Sequence, residues 1–336
     1  MLLPVFNGGE WLELALKSML GQTLSEFELI IIDDGSTDQT GRVIENARRN
    51  DSRIRSDYLP RSGIAVALNH GLAMVRSEIL ARMDADDVAR PQRLQKQLTF
   101  LEQNPKVAAL GSWACIIDSL GHKIGELRPE AAPAALQRIL EKQNPFIHSS
   151  MMMVADLVRR VGGYRPVLEG AEDYDLWLRL SDYALLANVP EFLIDYRYHP
   201  TSVSAAASHK QLLAARLARQ SARARWAARH DFVERLSAPL SLAALRSDED
   251  LRGTADLYHL LGQSAGEAIQ IRELFIFWQT DLNHAERKAA QAWLKDLLGG
   301  AQAWNVRLMA FLTLLYLHPL RGLALIWSNL QRGRFS

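Results

Sequence analysis

"LARMDADDVARP", Leu80 to Pro91, delivers three carboxylates, Asp84, Asp86 and Asp87, straight off the end of an apolar run. Neighbouring carboxylates repel one another and resist burial, so such a cluster requires open water or a cation. Upstream, "FELIIIDDGSTDQT", Phe27 to Thr40, repeats the pattern: a buried strand over Leu29–Ile32 runs into Asp33 and Asp34 and then a turn at Gly35. In open α/β sheets the ligand site lies beyond the carboxyl ends of the strands, near the switch point of strand order. Two acidic strand tips sharing one crevice are destabilising unless something bound there compensates them. The aspartates therefore mark a candidate site, and the strand-to-turn-to-helix pattern around them sets the fold.

Outward from these tips, the first 110 residues alternate short apolar runs with amphipathic helical patterns, the signature of βαβ units and a mainly parallel sheet. Met1 to Phe6 reads as a clipped strand. Asn7 with Glu10 predicts a capping box ahead of a helix bearing Leu12, Ala15, Leu16, Met19 and Leu20, and Ser36 with Gln39 predicts the next. A third strand, 54–59, leads through "PRSG" into a helix carrying Ala65, Leu68 and Leu72. A fourth, 79–83, ends at the aspartates, and Pro91 suits the first turn of a helix with Leu94, Leu98 and Leu101 on its inner face. From about 106 to 199 strands and short helices mix. After Ser204 the composition shifts to Ala, Leu and Arg with helical periodicity, which predicts a domain over 1–204, in halves 1–105 and 106–204, and a helical region over 205–336.

The chain has 336 residues, more than one hydrophobic core usually serves. Its 48% hydrophobic and 23% charged content excludes disorder, and a net charge of +1 gives no global attraction to nucleic acid. Cys115 is the only cysteine, so internal disulfides and Cys-based metal sites are excluded and a reducing, cytoplasmic setting fits. "MLLPVFNGGEW" lacks a basic n-region, so no secretory leader is expected, and no apolar run reaches the roughly 18 residues of a membrane span.

Several chemistries compete for the aspartates. As plain loop residues they would cap the helix after Pro91. A calcium loop counted from Asp84 fails, because Ala89 stands where Gly is needed and Gln95 where the bidentate Glu belongs. Asp84-Ala85-Asp86-Asp87-Val88 matches the nucleophile loop of haloacid-dehalogenase-like phosphatases, a reading that would make Asp84 the phosphoryl acceptor. That loop usually opens its fold, whereas here three βα units precede it. A non-catalytic glycan- or nucleotide-sugar-binding module is the remaining alternative.

Taken together and in order, "LPVFNGGEWLELALKSMLGQT", "FELIIIDDGSTDQT", "GIAVALNHGLAMVRSEILARMDADD", "VGGY" and "AEDYDLWLRL" resemble glycosyltransferase family 2, over roughly residues 1–204. The resemblance implies a GT-A fold: a Rossmann-like, mainly parallel α/β sheet flanked by helices, here followed by a helical C-terminal region. It implies an inverting, metal-dependent transferase that moves a hexose or N-acetylhexosamine from a nucleotide sugar, a UDP-sugar first, to a glycan or lipid-linked acceptor in cell-surface polysaccharide biosynthesis. Members usually carry residues ahead of the first strand, whereas Met1 already lies within it.

The chemistry agrees. Departure of a nucleoside diphosphate leaves concentrated negative charge, which Mn2+ or Mg2+ held by carboxylates neutralises. By resemblance, Asp86 is the metal ligand, Asp84 shares the metal or touches the donor ribose, and Asp87 stands behind them. Asp33 or Asp34 would accept from the uracil imide, while Pro4, Phe6 and Asn7 line the base pocket. Arg61, Asn69, Arg82 and Ala85 are candidate nucleotide contacts on the same rim. His199, in "YRYHPTSVS", would complete the metal shell or bond a phosphate, with Arg197 pairing phosphate. An inverting displacement also needs a carboxylate on the acceptor side to take the hydroxyl proton. Asp173 is the candidate base, with Glu172 as an orienting contact; their alternative role is that of helix-start acids favoured by the dipole. His148, in "NPFIHSSMMM", is either near the acceptor or structural.

The tail departs from this pattern. Lys210, Arg216, Arg219, Arg223, Arg225 and Arg229 crowd one segment, and "WNVRLMAFLTLLYLHPLRGLALIWSNLQRGRFS" interleaves apolar stretches with arginines and tryptophans. These features predict either a packed helical subdomain, which would also suit a homo-oligomer, or an anchor on the anionic inner face of the cytoplasmic membrane.

Overall fold

The computed structural model describes residues 1–199 and 209–236, all within one compact unit spanning Met1–Pro239. Four strand–helix units come first: β1 (Leu2–Val5), α1 (Leu12–Leu20), β2 (Leu29–Asp34), α2 (Thr40–Asn50), β3 (Ile54–Leu59), α3 (Ile64–Met74), β4 (Ile79–Ala81), β5 (Val88–Ala89) and α4 (Arg93–Gln103). The second half holds β6 (Val107–Ile117), β7 (Lys123–Leu127), α5 (Pro133–Leu140), β8 (Met152–Val154), α6 (Ala155–Arg160), α7 (Glu172–Leu180), β9 (Leu185–Arg197) and α8 (His209–Trp226).

Strands β1, β2 and β3 form a parallel sheet in that order, while β4, β8, β6, β9 and β5 form a mixed one with β7 added to β6. One parallel bridge, Leu2 to Arg82, joins β1 to β4. Because β1, β2 and β4 run the same way, Phe6, Asp33-Asp34 and the stretch after Ala81 emerge at one end of the structure. That common edge is the consequence of parallel pairing in register, Val5 beside Asp33 and Asp34 beside Leu59.

The core follows from the apolar spacing. Leu29–Ile32 is fully buried, and α1 packs Leu12, Ala15, Leu16 and Met19 beneath it. On α3, Gly71 lets the helix lie against β1, since a Cβ there would come 2.1 Å from Leu2 Cδ1. The fourth strand stops at Ala81 rather than at residue 83, and Arg82 beyond it bridges Leu2 while its amide donates to the Met151 carbonyl at 2.8 Å. Helix α4 begins at Arg93, two residues beyond Pro91. Its inner face carries Arg93 and Gln97 as well as Leu94 and Leu101.

Both expected capping boxes are replaced by a lock between loops. The Asn7 amide donates to Ser36 Oγ (2.8 Å), Asn7 Oδ1 accepts from the Thr37 amide (2.9 Å), and the Gly8 amide donates to Thr40 Oγ1 (2.8 Å). The polar residues read as helix starts instead tie the β1–α1 and β2–α2 turns together, so α1 and α2 begin only at Leu12 and Thr40. Helix α8, assigned from sequence to the C-terminal region, lies inside the compact unit and buries Leu213, Ala214, Leu217, Ala218 and Ala222. The remaining C-terminal expectations, from 237 onward, fall outside the described residues.

Candidate active site

At the tip of β2, Asp34 is 2% exposed and accepts from the Ser62 and Gly63 amides at 2.7 and 3.0 Å and from the Arg61 guanidinium. Arg61 also stacks over the exposed Phe6 ring at 3.7 Å. Gly35, at φ +80°, permits this closure, because a Cβ there would lie 2.6 Å from the Arg61 amide. Asp33 Oδ1 accepts from the Ser36 amide at 2.9 Å. Pro4 is buried within β1 opposite Ile32, so only Phe6 and Asn7 of that segment reach the surface.

After β4, Arg82 is 2% exposed and grips both oxygens of Asp84 at 2.5 Å. It is therefore the buried ion-pair partner of Asp84, and it also lines the cavity between the two halves. The Asp84 amide donates to Ser149 Oγ at 2.9 Å, and beneath it Arg93 Nη2 donates to the Arg82 carbonyl at 2.5 Å. Burial pulls the Arg93 guanidinium down to about 9. Ala85, half-buried, packs against the core.

Strand β9 pairs with β5, and so carries its far end to the aspartate turn. There His199 Nε2 lies 3.1 Å from Asp86 Oδ2, with its ring 4.5 Å from that of Trp11. Burial and the Asp84 charge raise the Asp86 carboxyl, while His199 draws it back. Asp87 is buried, accepts from the Arg197 amide at 2.7 Å, and is raised well above the usual carboxylate range by desolvation and by Asp86 and Asp84. The Arg197 guanidinium is committed elsewhere than expected: Nε and Nη1 donate to the carbonyls of Asp86 and Asp118 at 2.8 and 2.9 Å. Among the described residues, no three or more His, Cys, Asp or Glu side chains are grouped so as to hold a metal by themselves. Asp86 and His199 form an oxygen–nitrogen pair, to which phosphate oxygens and water would have to add the remaining ligands.

A cavity of about 800 Å³ opens between the halves, lined by Arg61, Arg82 and Asp84 on one side and by Asn144, His148, Glu169, Glu172 and Asp173 on the other. Glu172 and Asp173 start α7, where the exposed amides favour negative charge. The Gly170 amide donates to Glu172 Oε2 at 2.6 Å. Asp173 Oδ1 accepts from the Tyr174 amide at 2.6 Å and Oδ2 from Asn144 Nδ2 at 2.7 Å. Burial, then the charge of Asp173, pushes Glu172 up to about 7; burial also raises Asp173, with the Tyr174 and Asn144 donors pulling it back. His148 lies on the cavity wall 3.2 Å from Tyr164 Oη, and burial with the Arg82 charge holds it well below the usual histidine range.

The arrangement thus brings Asp84, Arg82 and Arg61 into one chamber with Glu172 and Asp173. Asp86 and His199 pair off its wall. Asn69 is not on the wall: its Nδ2 donates to the Tyr164 carbonyl at 2.7 Å and its Oδ1 accepts the Tyr164 amide at 2.8 Å, so it clasps the backbone beyond "VGG". Sequence reading missed Asn144, Glu169, Tyr196, Tyr198 and Gln211, all of which line the cavity. Only the Asn-Pro turn at 144 carries any local signal, and nothing in it points to α7.

The family model for glycosyl transferase family 2 matches residues 1–159. The O-antigen biosynthesis glycosyltransferase WbnJ of Escherichia coli is 31% identical over 211 residues, 62% of this chain and 82% of that protein. An uncharacterized glycosyltransferase of Haemophilus influenzae is 32% identical over 223 residues, 61% of this chain and 67% of its own length. Among solved structures, S. aureus TarS 1-349 in complex with UDP-GlcNAc superposes with a TM-score of 0.59 at 18% identity, covering 94% of this chain and 90% of that one. These matches agree with the order of strand tips, aspartates and acidic helix start described above, and the chain belongs to glycosyltransferase family 2.

Proposed function

We propose that the protein transfers a sugar, a hexose or N-acetylhexosamine, from a UDP-sugar to a hydroxyl of a glycan or lipid-linked acceptor, with inversion, in polysaccharide biosynthesis. The observation that carries the reading is the single cavity lined both by Asp84 after β4 and by Glu172 and Asp173 at the start of α7. The UDP-GlcNAc complex of TarS and the O-antigen role in the name of WbnJ support the donor and the pathway class.

In this reading Phe6, Asn7 and the Asp34–Arg61 pair border the base, and Asp84 faces the donor sugar. The acceptor hydroxyl enters beside α7. Asp173 takes its proton while the oxygen forms a bond to the anomeric carbon, and the bond from that carbon to the diphosphate oxygen breaks with its electron pair leaving on the diphosphate. Glu172, protonated up to about pH 7, leaves the pair's negative charge on Asp173. Asp86 and His199 would hold a Mn2+ or Mg2+ ion, whose charge stabilises the departing diphosphate when bound.

A donor screen tests the reading: melting temperature of the full chain with UDP-, GDP- and dTDP-sugars, each with and without Mn2+. UDP-sugars are expected to raise it most, and to do so with Mn2+. Asp173→Asn, assayed with the best donor, is expected to bind it normally but to turn over two to four orders of magnitude more slowly, roughly the worth of a positioned base. Undiminished turnover would move the base elsewhere, Glu172 first.

A further inference from the structure

Asn144 sits in the segment facing the first turn of α7 and contributes two hydrogen bonds of opposite sense. Its Nδ2 donates to Asp173 Oδ2 at 2.7 Å, and its Oδ1 accepts from the Phe146 amide at 3.1 Å. That pairing fixes the amide's orientation. Turned over, the carbonyl would face a carboxylate and the amino group would face an N–H. The anchor is firm, since Phe146 is buried and packs edge-on against Trp177 of the same helix, with ring centres 5.9 Å apart.

We propose that Asn144 is the positioning residue of the Asp173 base, fixing its carboxylate toward the cavity and favouring its ionised form. The proposal rests on the reading of Asp173 as base. Its ground is an asymmetry between neighbours. Asp173 receives a side-chain donor, Asn144, besides the Tyr174 amide, whereas Glu172 is held by backbone amides, those of Gly170 and of Glu172 itself. Hydrogen bonds to the ionised form favour that form, so the Asn144 side chain, aimed at Asp173 and not at Glu172, favours placing the charge of the two adjacent buried carboxyls on Asp173. The other groups bearing on Asp173 are Glu172 on its own helix, Arg82 and Asp84 after β4, and His148 and Tyr164 across the cavity. All of them remain when Asn144 is replaced.

The test follows the Asp173 carboxyl directly. In full-length protein labelled with [γ-13C]aspartate, the resonance lost in Asp173→Asn identifies Asp173, and its titration is compared across variants. Asn144→Ala is expected to raise its midpoint by about one pH unit, the direction set by losing a donor to the charged form. Asn144→Asp, which adds a like charge, is expected to raise it further. If the alanine variant does not fold, Asn144→Leu fills the space without a donor and gives the same reading. An unshifted midpoint in the folded variant overturns the proposal, even where Asp173→Asn is inactive. Undiminished turnover in Asp173→Asn instead removes the base, and the positioning role with it. The two failures are read from separate measurements.

Discussion

Glu172 and Asp173 are adjacent carboxyls under one roof, and their cost appears as a dependence of stability on pH. The folded protein keeps the Glu172 proton up to about pH 7, against an ordinary value of 4.5. A group whose folded value is raised contributes its full share of stability below the unfolded value, and that share is lost as pH rises through the folded one. Glu172→Gln keeps an oxygen to accept the Gly170 amide and removes the ionisation. Its melting temperature is expected to equal wild type near pH 4.5 and to exceed it at pH 8, by roughly 2–4 °C for each kcal/mol relieved. Calorimetry at the two pH values checks this, and an equal difference at both would exclude ionisation as the cause. At this scale the sequence was informative about residue type but not about partners. Asp84 and Asp86 stood out as clustered acids at the end of an apolar strand, and Glu172 and Asp173 through the family resemblance of "AEDYDLWLRL". Asn69 and Arg197 read as nucleotide or phosphate contacts, because their backbone partners lie far along the chain. Asn69 meets the Tyr164 backbone 95 positions away, and no local pattern encodes that.

Helix α7 positions the candidate base, and what positions α7 is a buried ionic cluster. Asp175 and Arg179, one turn apart on it, pair at 2.7 Å, and Arg179 also donates to the Val161 and Gly163 carbonyls at 2.5 and 2.7 Å. Arg165 reaches toward Asp175 at 3.5 Å and bonds Asp231 at 2.9 Å, and Ser221 of α8 donates to Asp231 at 2.7 Å. Removing one partner of a buried pair leaves an uncompensated charge, so Arg179→Met is expected to destabilise by about 3–5 kcal/mol. Replacing both partners, with Asp175→Leu added, is expected to recover most of that loss, because the apolar pair leaves no charge to solvate. Urea unfolding of the two variants decides it. If the double variant is as unstable as the single one, the cluster acts through shape rather than charge. The elements themselves were legible where periodicity is strong: β2, β3, α3 and the apolar face of α1 lie where the spacing puts them. Helix starts were not, because Asn7 and Ser36 cap a neighbouring loop instead of their own helices.

For the whole molecule, the question is what the C-terminal third adds to a family 2 catalytic unit. The sequence offered two basic segments for a membrane surface, and the fold turns part of the first inward. Arg216 and Arg219 of α8 are 3% and 4% exposed, while Arg225 pairs with Asp182 and Asp231 at 2.8 and 3.1 Å. These arginines serve the interior of the compact unit, whereas Arg223, Trp226 and Arg229 of the same segment are exposed, and no described helix is long and apolar enough to cross a membrane. The stronger candidate is the stretch from Trp304 onward, with Arg307, Arg321, Arg332 and Arg334 among apolar and aromatic residues, which lies outside the described residues. Aromatic and basic side chains alternating with apolar runs favour the headgroup region of an anionic leaflet. Confinement there would raise the local concentration of a lipid-linked acceptor. The full chain is therefore expected to co-sediment with phosphatidylglycerol-containing vesicles at low salt and to be released as salt screens the contact. A chain ending at Pro239, which retains α8 and the compact unit, is expected to stay in the supernatant. Equal binding by both would return the contact to the catalytic unit, and binding by neither would leave the C-terminal segment a packing or assembly role.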